Sequence, residues 1–117
     1  MQFRTRAERH LKAIGQPVLP FLLPIAKCEA DLTRTAVFRL FHELGDETVI
    51  EACINALVDS NEYVRDYANK TLERVTNESF GYQPNASPRR REAGQEKWRK
   101  WWEKEKAELA EVEKLKG

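Results

Sequence analysis

The sequence predicts an all-α protein, an α-solenoid of stacked antiparallel helical hairpins closed by a long C-terminal helix. Three observations carry that prediction. A residue pattern recurs at a period of 30 to 31 residues over the first two thirds of the chain. Within each period the apolar positions follow the 3.6-residue helical spacing, with no alternating run to suggest a strand. Finally, the stretch EKWRKWWEKEK gathers all three tryptophans of the protein into five residues near its C-terminus.

The repeat is anchored by Arg4, Arg34 and Arg65. Behind each arginine fall Ala7, Val37 and Ala68, then Leu11, Phe41 and Leu72, then Ile14, Leu44 and Val75. Offsets of three, seven and ten from the arginine share one helical face, so each unit ends in a helix. The front halves align as well: Val18 with Val49, Leu19 with Ile50, Leu22 with Cys53, Leu23 with Ile54 and Ala26 with Leu57. Each full unit therefore reads as a pair of helices.

In chain order the predicted helices cover 3–14, 17–29, 31–44, 47–58, 60–76 and 88–113. Pro17 suits a first helical turn, whereas Pro24 removes an interior hydrogen bond and predicts a bend in the helix over 17–29. Gly15 and Gly45 stand where a left-handed residue ends a helix. Asp46 is placed to cap the next helix, and DSNE, Asp59 to Glu62, has the form of a capping box for the helix over 60–76. Ser87 followed by Pro88 starts the last helix.

Composition narrows the classes further. Apolar residues make up 41% and charged residues 33%, and 20 Lys and Arg face 19 Asp and Glu for a net charge of +1. No global field draws the chain to nucleic acid or anionic lipid. The longest apolar run, PVLPFLLPIA, is ten residues long and carries three prolines, about half of what a spanning helix needs, so membrane insertion is not expected. MQFRTRAERH has charges where a secretory signal has its apolar core, and, taken as a complete chain, the protein is expected to be cytoplasmic. Cys28 and Cys53 form neither a CxxC pair nor a disulfide framework.

VRDYANKTLERV, Val64 to Val75, with GDETVIEACINALVDS, Gly45 to Ser60, resembles the short bacterial type of HEAT repeat, with Val-Arg, then Ala, then Leu along its second helix. FGYQPNASPRRREAGQEKWRKWW, Phe80 to Trp102, is similar to a C-terminal extension of bacterial HEAT-repeat proteins, with Gln83 in place of the usual aspartate and Arg89 where an acidic residue is commoner. The resemblance implies a single domain over 1–117: a half repeat or N-terminal cap at 1–15, repeats at 16–45 and 46–76, and a linker and capping helix at 77–117. It also implies a binding scaffold in place of an enzyme, and a longer parent chain in which a partner helix precedes 3–14.

Trp98, Trp101 and Trp102 lie at i, i+3 and i+4, on one helical face. With Phe80 and Tyr82 they are read as a structural cap over the open end of the stack. The competing reading is nucleic-acid binding, because six basic and two acidic residues are interleaved with tryptophan between Arg89 and Lys100. Three consecutive arginines nevertheless point in different directions around a helix.

Equivalent positions of stacked second helices form columns, and Arg9, Arg39 and Lys70 make a basic ladder with Phe38 and Tyr67 beside it on positions the repeat does not need buried. Arginine and aromatic side chains dominate binding surfaces, which points to a protein or peptide partner of acidic character. The plain alternative is a row of ordinary exposed charges and rim aromatics. Arg4, Arg34 and Arg65 are read as structural, bonded to carbonyls or acids at the helix junctions. No catalytic residue, metal site or cofactor is assigned: His10 and His42 are isolated, no glycine-rich phosphate loop is present, and a helical-repeat enzyme is the last alternative.

Overall fold

A computed structural model describes residues 16–116, all-helical and without a strand among the described residues. Five α-helices follow one another: α1 Leu19–Leu22, α2 Asp31–Leu44, α3 Ile50–Asn55, α4 Glu62–Thr76 and α5 Pro88–Lys116. Turns of 3₁₀ helix at Gln16–Val18 and Ile25–Lys27 flank α1, and others at Glu47–Val49 and Ala56–Val58 flank α3. The helix predicted over 3–14, with Gly15 behind it, lies outside the described residues.

The helix expected over 17–29 is broken more severely than a bend. Leu23 N still donates to Leu19 O at 3.1 Å, but Pro24 has no N–H to continue the ladder. The chain resumes in tighter geometry, with Ala26 N on Leu23 O at 3.2 Å and Lys27 N on Pro24 O at 3.3 Å. Over 47–58 the tightening is confined to the ends, where orphan backbone groups take i→i+3 bonds. Asp46 caps this segment as expected, accepting from Thr48 N at 2.9 Å.

Two punctuation marks differ from the expectation. Gly45 is extended (φ −63°, ψ 148°) instead of left-handed. What selects glycine there is space: a Cβ would stand 2.3 Å from Phe41 O and 2.8 Å from Val49 Cγ2. The left-handed terminus belongs to Asn77, φ 59°, at the end of α4. The capping box is absent too. Asn61 caps α4, accepting from Tyr63 N at 2.9 Å and Val64 N at 3.2 Å, while the carboxylate of Asp59 accepts from Asn61 N at 2.8 Å and is engaged by Arg34.

That engagement organises the junctions. Arg34 uses all five of its N–H donors. Nε and Nη2 grip the two oxygens of Asp59 at 3.0 Å each, Nη1 donates to Cys28 O at 2.9 Å and Glu29 O at 2.8 Å, and Nη2 also reaches Asp31 at 2.6 Å. Asp59 turns its carbonyl to Arg65 Nη1 at 2.7 Å, and Arg65 Nε continues to Pro84 O at 3.0 Å. The carboxylates hold the Arg34 guanidinium above its ordinary pKa, Asp59 most strongly. The structural role predicted for Arg34 and Arg65 is thus visible in detail, while Arg4 lies outside the described residues.

A single apolar cluster runs from Leu19 to Trp98. Helix α2 lies against α4, α3 against α4, and α5 against α3 and the turn after it. The repeat positions Val37, Phe41, Ala68 and Leu72 are buried, as are Val49, Ile50, Cys53, Ile54 and Leu57. Phe38 joins them at 2% exposure, with its ring edge-on to Phe41 at 5.1 Å, which corrects its placement on an open face. A helix flanked on two sides buries more than one stripe, and α2 is such a helix.

Asp59→Ala leaves the buried Arg34 with one carboxylate and should destabilise the protein by about 3 kcal/mol in urea unfolding. Gly45→Ala, which forces a methyl against backbone, should cost about 2 kcal/mol in the same measurement. A loss below about 0.5 kcal/mol for Asp59→Ala would show that the junction contributes nothing to stability.

Candidate functional site

The polar face shared by α2 and α4 holds most of the residues expected to bind a partner. Arg39 is half-buried and lies across the helix pair, its guanidinium carbon 5.7 Å from the Tyr67 ring centroid and its Nε 3.3 Å from the Tyr67 hydroxyl. Lys70 stands one turn further along α4, in an exposed pair with Asp66 at 2.9 Å. Arg39, Tyr67 and Lys70 therefore occur together. Phe38 belongs to the core and is removed from this face, and Arg9 lies outside the described residues.

Two side chains that the ladder reading passed over share the same face. His42, half-buried, has its ring 6.2 Å from that of Tyr67. Arg74 donates through Nη2 to Phe41 O at 3.1 Å and Gly45 O at 2.7 Å, closing the C-terminus of α2. The one available signal was its spacing: Arg74 lies one helical turn beyond Lys70. Burial first, then the charges of Arg74 and Lys70, lower the pKa of His42, against the opposing pull of Glu43 and Asp66.

On the other side of α2 a cleft of about 480 Å³ opens over Phe38, walled by Leu23 and Ala26 on one side and by Ala52 and Ala56 on the other. Its floor carries Arg34 and Asp59, whose polar atoms are already paired. Among the described residues no three His, Cys, Asp or Glu side chains converge as a metal cluster.

The five aromatic residues expected to form a structural cap join the apolar cluster where α5 packs on α3 and the turn after it. Trp98 has no exposed surface, Tyr82 is buried, and Phe80, Trp101 and Trp102 are half-buried. Phe80 meets Trp98 edge-on at 4.6 Å, Trp101 follows at 5.8 Å from Trp98, and Trp102 stacks on Trp101 at 6.2 Å. The Tyr82 hydroxyl donates to Leu57 O, and burial raises its pKa. Gly94 makes room for that ring, since a Cβ there would lie 2.7 Å from Tyr82 Cδ1. Helix α5 continues to Lys116, with Leu109, Val112 and Leu115 exposed. None of the described helices is long and apolar enough to cross a membrane.

Because the folded protein holds the pKa of His42 below its unfolded value, protonation favours the unfolded chain. Its contribution to stability is complete above the unfolded pKa and is lost as pH falls through the lowered folded value. Urea midpoints measured from pH 8 down to pH 5 should therefore fall less steeply for His42→Gln than for the wild type. Parallel curves would contradict this. Comparison of the chain with family models, with curated proteins and with solved structures yields no match.

Proposed function

We propose that the protein is a non-catalytic binding module, a short HEAT-like stack of helical hairpins that receives an acidic peptide or protein surface on the polar face of α2 and α4. The observation that carries this reading is the Arg39–Tyr67 pair. An arginine held on an aromatic ring across two helices, with Lys70 beside it, is a preorganised cation beside an exposed one. The resemblance of Val64 to Val75 and of Phe80 to Trp102 to HEAT-repeat proteins supports the same reading.

Two further observations favour a protein partner over nucleic acid. Base stacking needs open ring faces, and Trp98 has none, while Trp101 and Trp102 are stacked on each other and partly covered. Arg99, which interrupts the tryptophan run, is turned to Asn55 Oδ1 at 3.2 Å. Against catalysis, the displaced titrations of Cys53 and Tyr82 arise from burial, which holds both groups neutral, and neither lines the 480 Å³ cleft.

Affinity capture from the native host with the wild type and with Arg39→Glu/Lys70→Glu, each checked for an unchanged melting curve, tests the reading. A specific protein should be retained by the wild type and bound at least about tenfold more weakly by the double variant. Equal retention by both would remove this face, and salt-sensitive retention of single-stranded nucleic acid in its place would point to α5.

A further inference from the structure

We propose that His42, Lys70 and Arg74 form the oxyanion subsite of this face, receiving side-chain carboxylates of the acidic polypeptide. This deepens the preceding reading and rests on it. The geometry begins with Arg74, whose Nη2 is fixed to Phe41 O and Gly45 O, the carbonyls that bracket His42 in the last turn of α2. Its Nε and Nη1 make no hydrogen bond among the described residues, so one edge of a positioned guanidinium remains to be used.

Lys70 and Tyr67 occupy the preceding turns on the same side of α4, and the His42 ring faces Tyr67 at 6.2 Å. Helix α2 thus presents an imidazole to a row made of an aromatic ring, an ammonium and a guanidinium on α4. Lys70 is paired with Asp66 among the described residues, in a pair about half exposed on both sides, which an incoming carboxylate can displace at little cost. Among the described residues the charges that act on His42 are those of Glu43 on α2 and of Asp66, Lys70 and Arg74 on α4, two cations and two carboxylates, with Arg39 one turn before His42 on α2.

Burial is the first cause that makes this imidazole harder to protonate, and the charges of Arg74 and Lys70 add to it; a bound anion offsets the second cause. Once a carboxylate sits among the three side chains, protonated His42 becomes a third donor, and binding takes up a proton. Affinity for an acidic chain therefore rises as pH falls towards the histidine range, so the subsite responds to acidity as well as to charge.

The test uses blocked hexaglutamate as the probe and blocked hexaglutamine as its neutral control. The His42 ring resonance, assigned by its loss in His42→Gln, is titrated by NMR between pH 5 and 8 in the full chain, with and without each peptide. Hexaglutamate should raise the His42 midpoint by about one pH unit, which corresponds to about tenfold tighter binding to the protonated form. Hexaglutamine should leave it in place. Arg74→Gln and Lys70→Gln should each reduce the rise; the second replaces an exposed side chain and keeps the test decisive if the first weakens the fold. An unmoved midpoint at saturating hexaglutamate, an equal shift with hexaglutamine, or a full shift in Lys70→Gln would overturn the subsite. If the midpoint stays fixed while Arg39→Glu/Lys70→Glu still abolishes capture of the native partner, the subsite falls and the binding-module reading stands.

Discussion

The architecture depends on the bidentate pair between Arg34 and Asp59. A guanidinium at the edge of an apolar core is tolerated only if its donors are all met, and the five acceptors of Arg34 come from the chain before α2, from Asp31 and from Asp59. Meeting them fixes two junctions relative to each other. A hydrophobic residue could fill the same volume, but apolar contact alone would let the rods slide, since it carries little directional preference. Through the Asp59 carbonyl the constraint passes to Arg65, and from Arg65 to Pro84 O, which ties down the segment leading into α5. The relation of α2 to α4, and with it the position of Arg39 over Tyr67, is set by these bonds together with the core.

A second regularity concerns the carbonyls that every helix leaves unpaired at its C-terminus. At the ends of α2 and of α3 with the turn after it, side chains from elements further along the chain help to meet them. Arg74 of α4 takes Phe41 O and Gly45 O at the end of α2. Tyr82 takes Leu57 O, and Gln95 of α5 takes Ile54 O at 2.9 Å and Asn55 O at 3.4 Å. The final helix therefore does two things at once. Its indoles cover apolar surface, and the Gln95 amide satisfies backbone carbonyls at the end of α3. Gly94, inside a helix otherwise rich in strong helix formers, is explained by the Tyr82 ring that crosses it.

Most of this was legible wherever a residue acts through its period. The spacing behind Arg34 and Arg65 identified Val37, Phe41, Ala68 and Leu72 as core, and the bounds of α2 agree with the predicted 31–44. The i, i+3, i+4 placement of the tryptophans put them on one helical face, where Trp98 is buried and Trp101 and Trp102 are half-buried. What periodicity does not encode is partnership across the chain. Asp59 has the local signature of a helix cap, and nothing near it in sequence announces Arg34, 25 residues away. Phe38 looks open because a repeat of two helices needs only one stripe, whereas α2 has neighbours on both flanks. Gly45 has the position of a left-handed residue and owes its identity to the close approach of Phe41 O and Val49, which no local sequence pattern announces. On the candidate face, Arg39, Tyr67 and Lys70 emerged from columns of equivalent positions. His42 and Arg74 did not, because neither has a counterpart in the repeat that marks it out.

On the proposed reading, the members of that face would contribute differently to binding, and their restraint explains how. Arg39 is held across Tyr67 before any partner arrives, so little side-chain entropy remains to be lost when it is engaged. Arg74 is held still more firmly, by two carbonyls. Lys70, about half exposed and paired with Asp66 among the described residues, keeps most of its freedom and acts chiefly at long range, where charge steers encounter. His42 sits between these extremes, with its pKa lowered first by burial and then by Arg74 and Lys70. A partner that offers one carboxylate gains little here, because the two acids on the face already offset part of the positive charge. A partner that offers several can replace Asp66 at Lys70, meet the open edge of Arg74 and draw a proton onto His42 in the same event, so selectivity for a run of acidic residues follows from the arrangement of the cations rather than from their number.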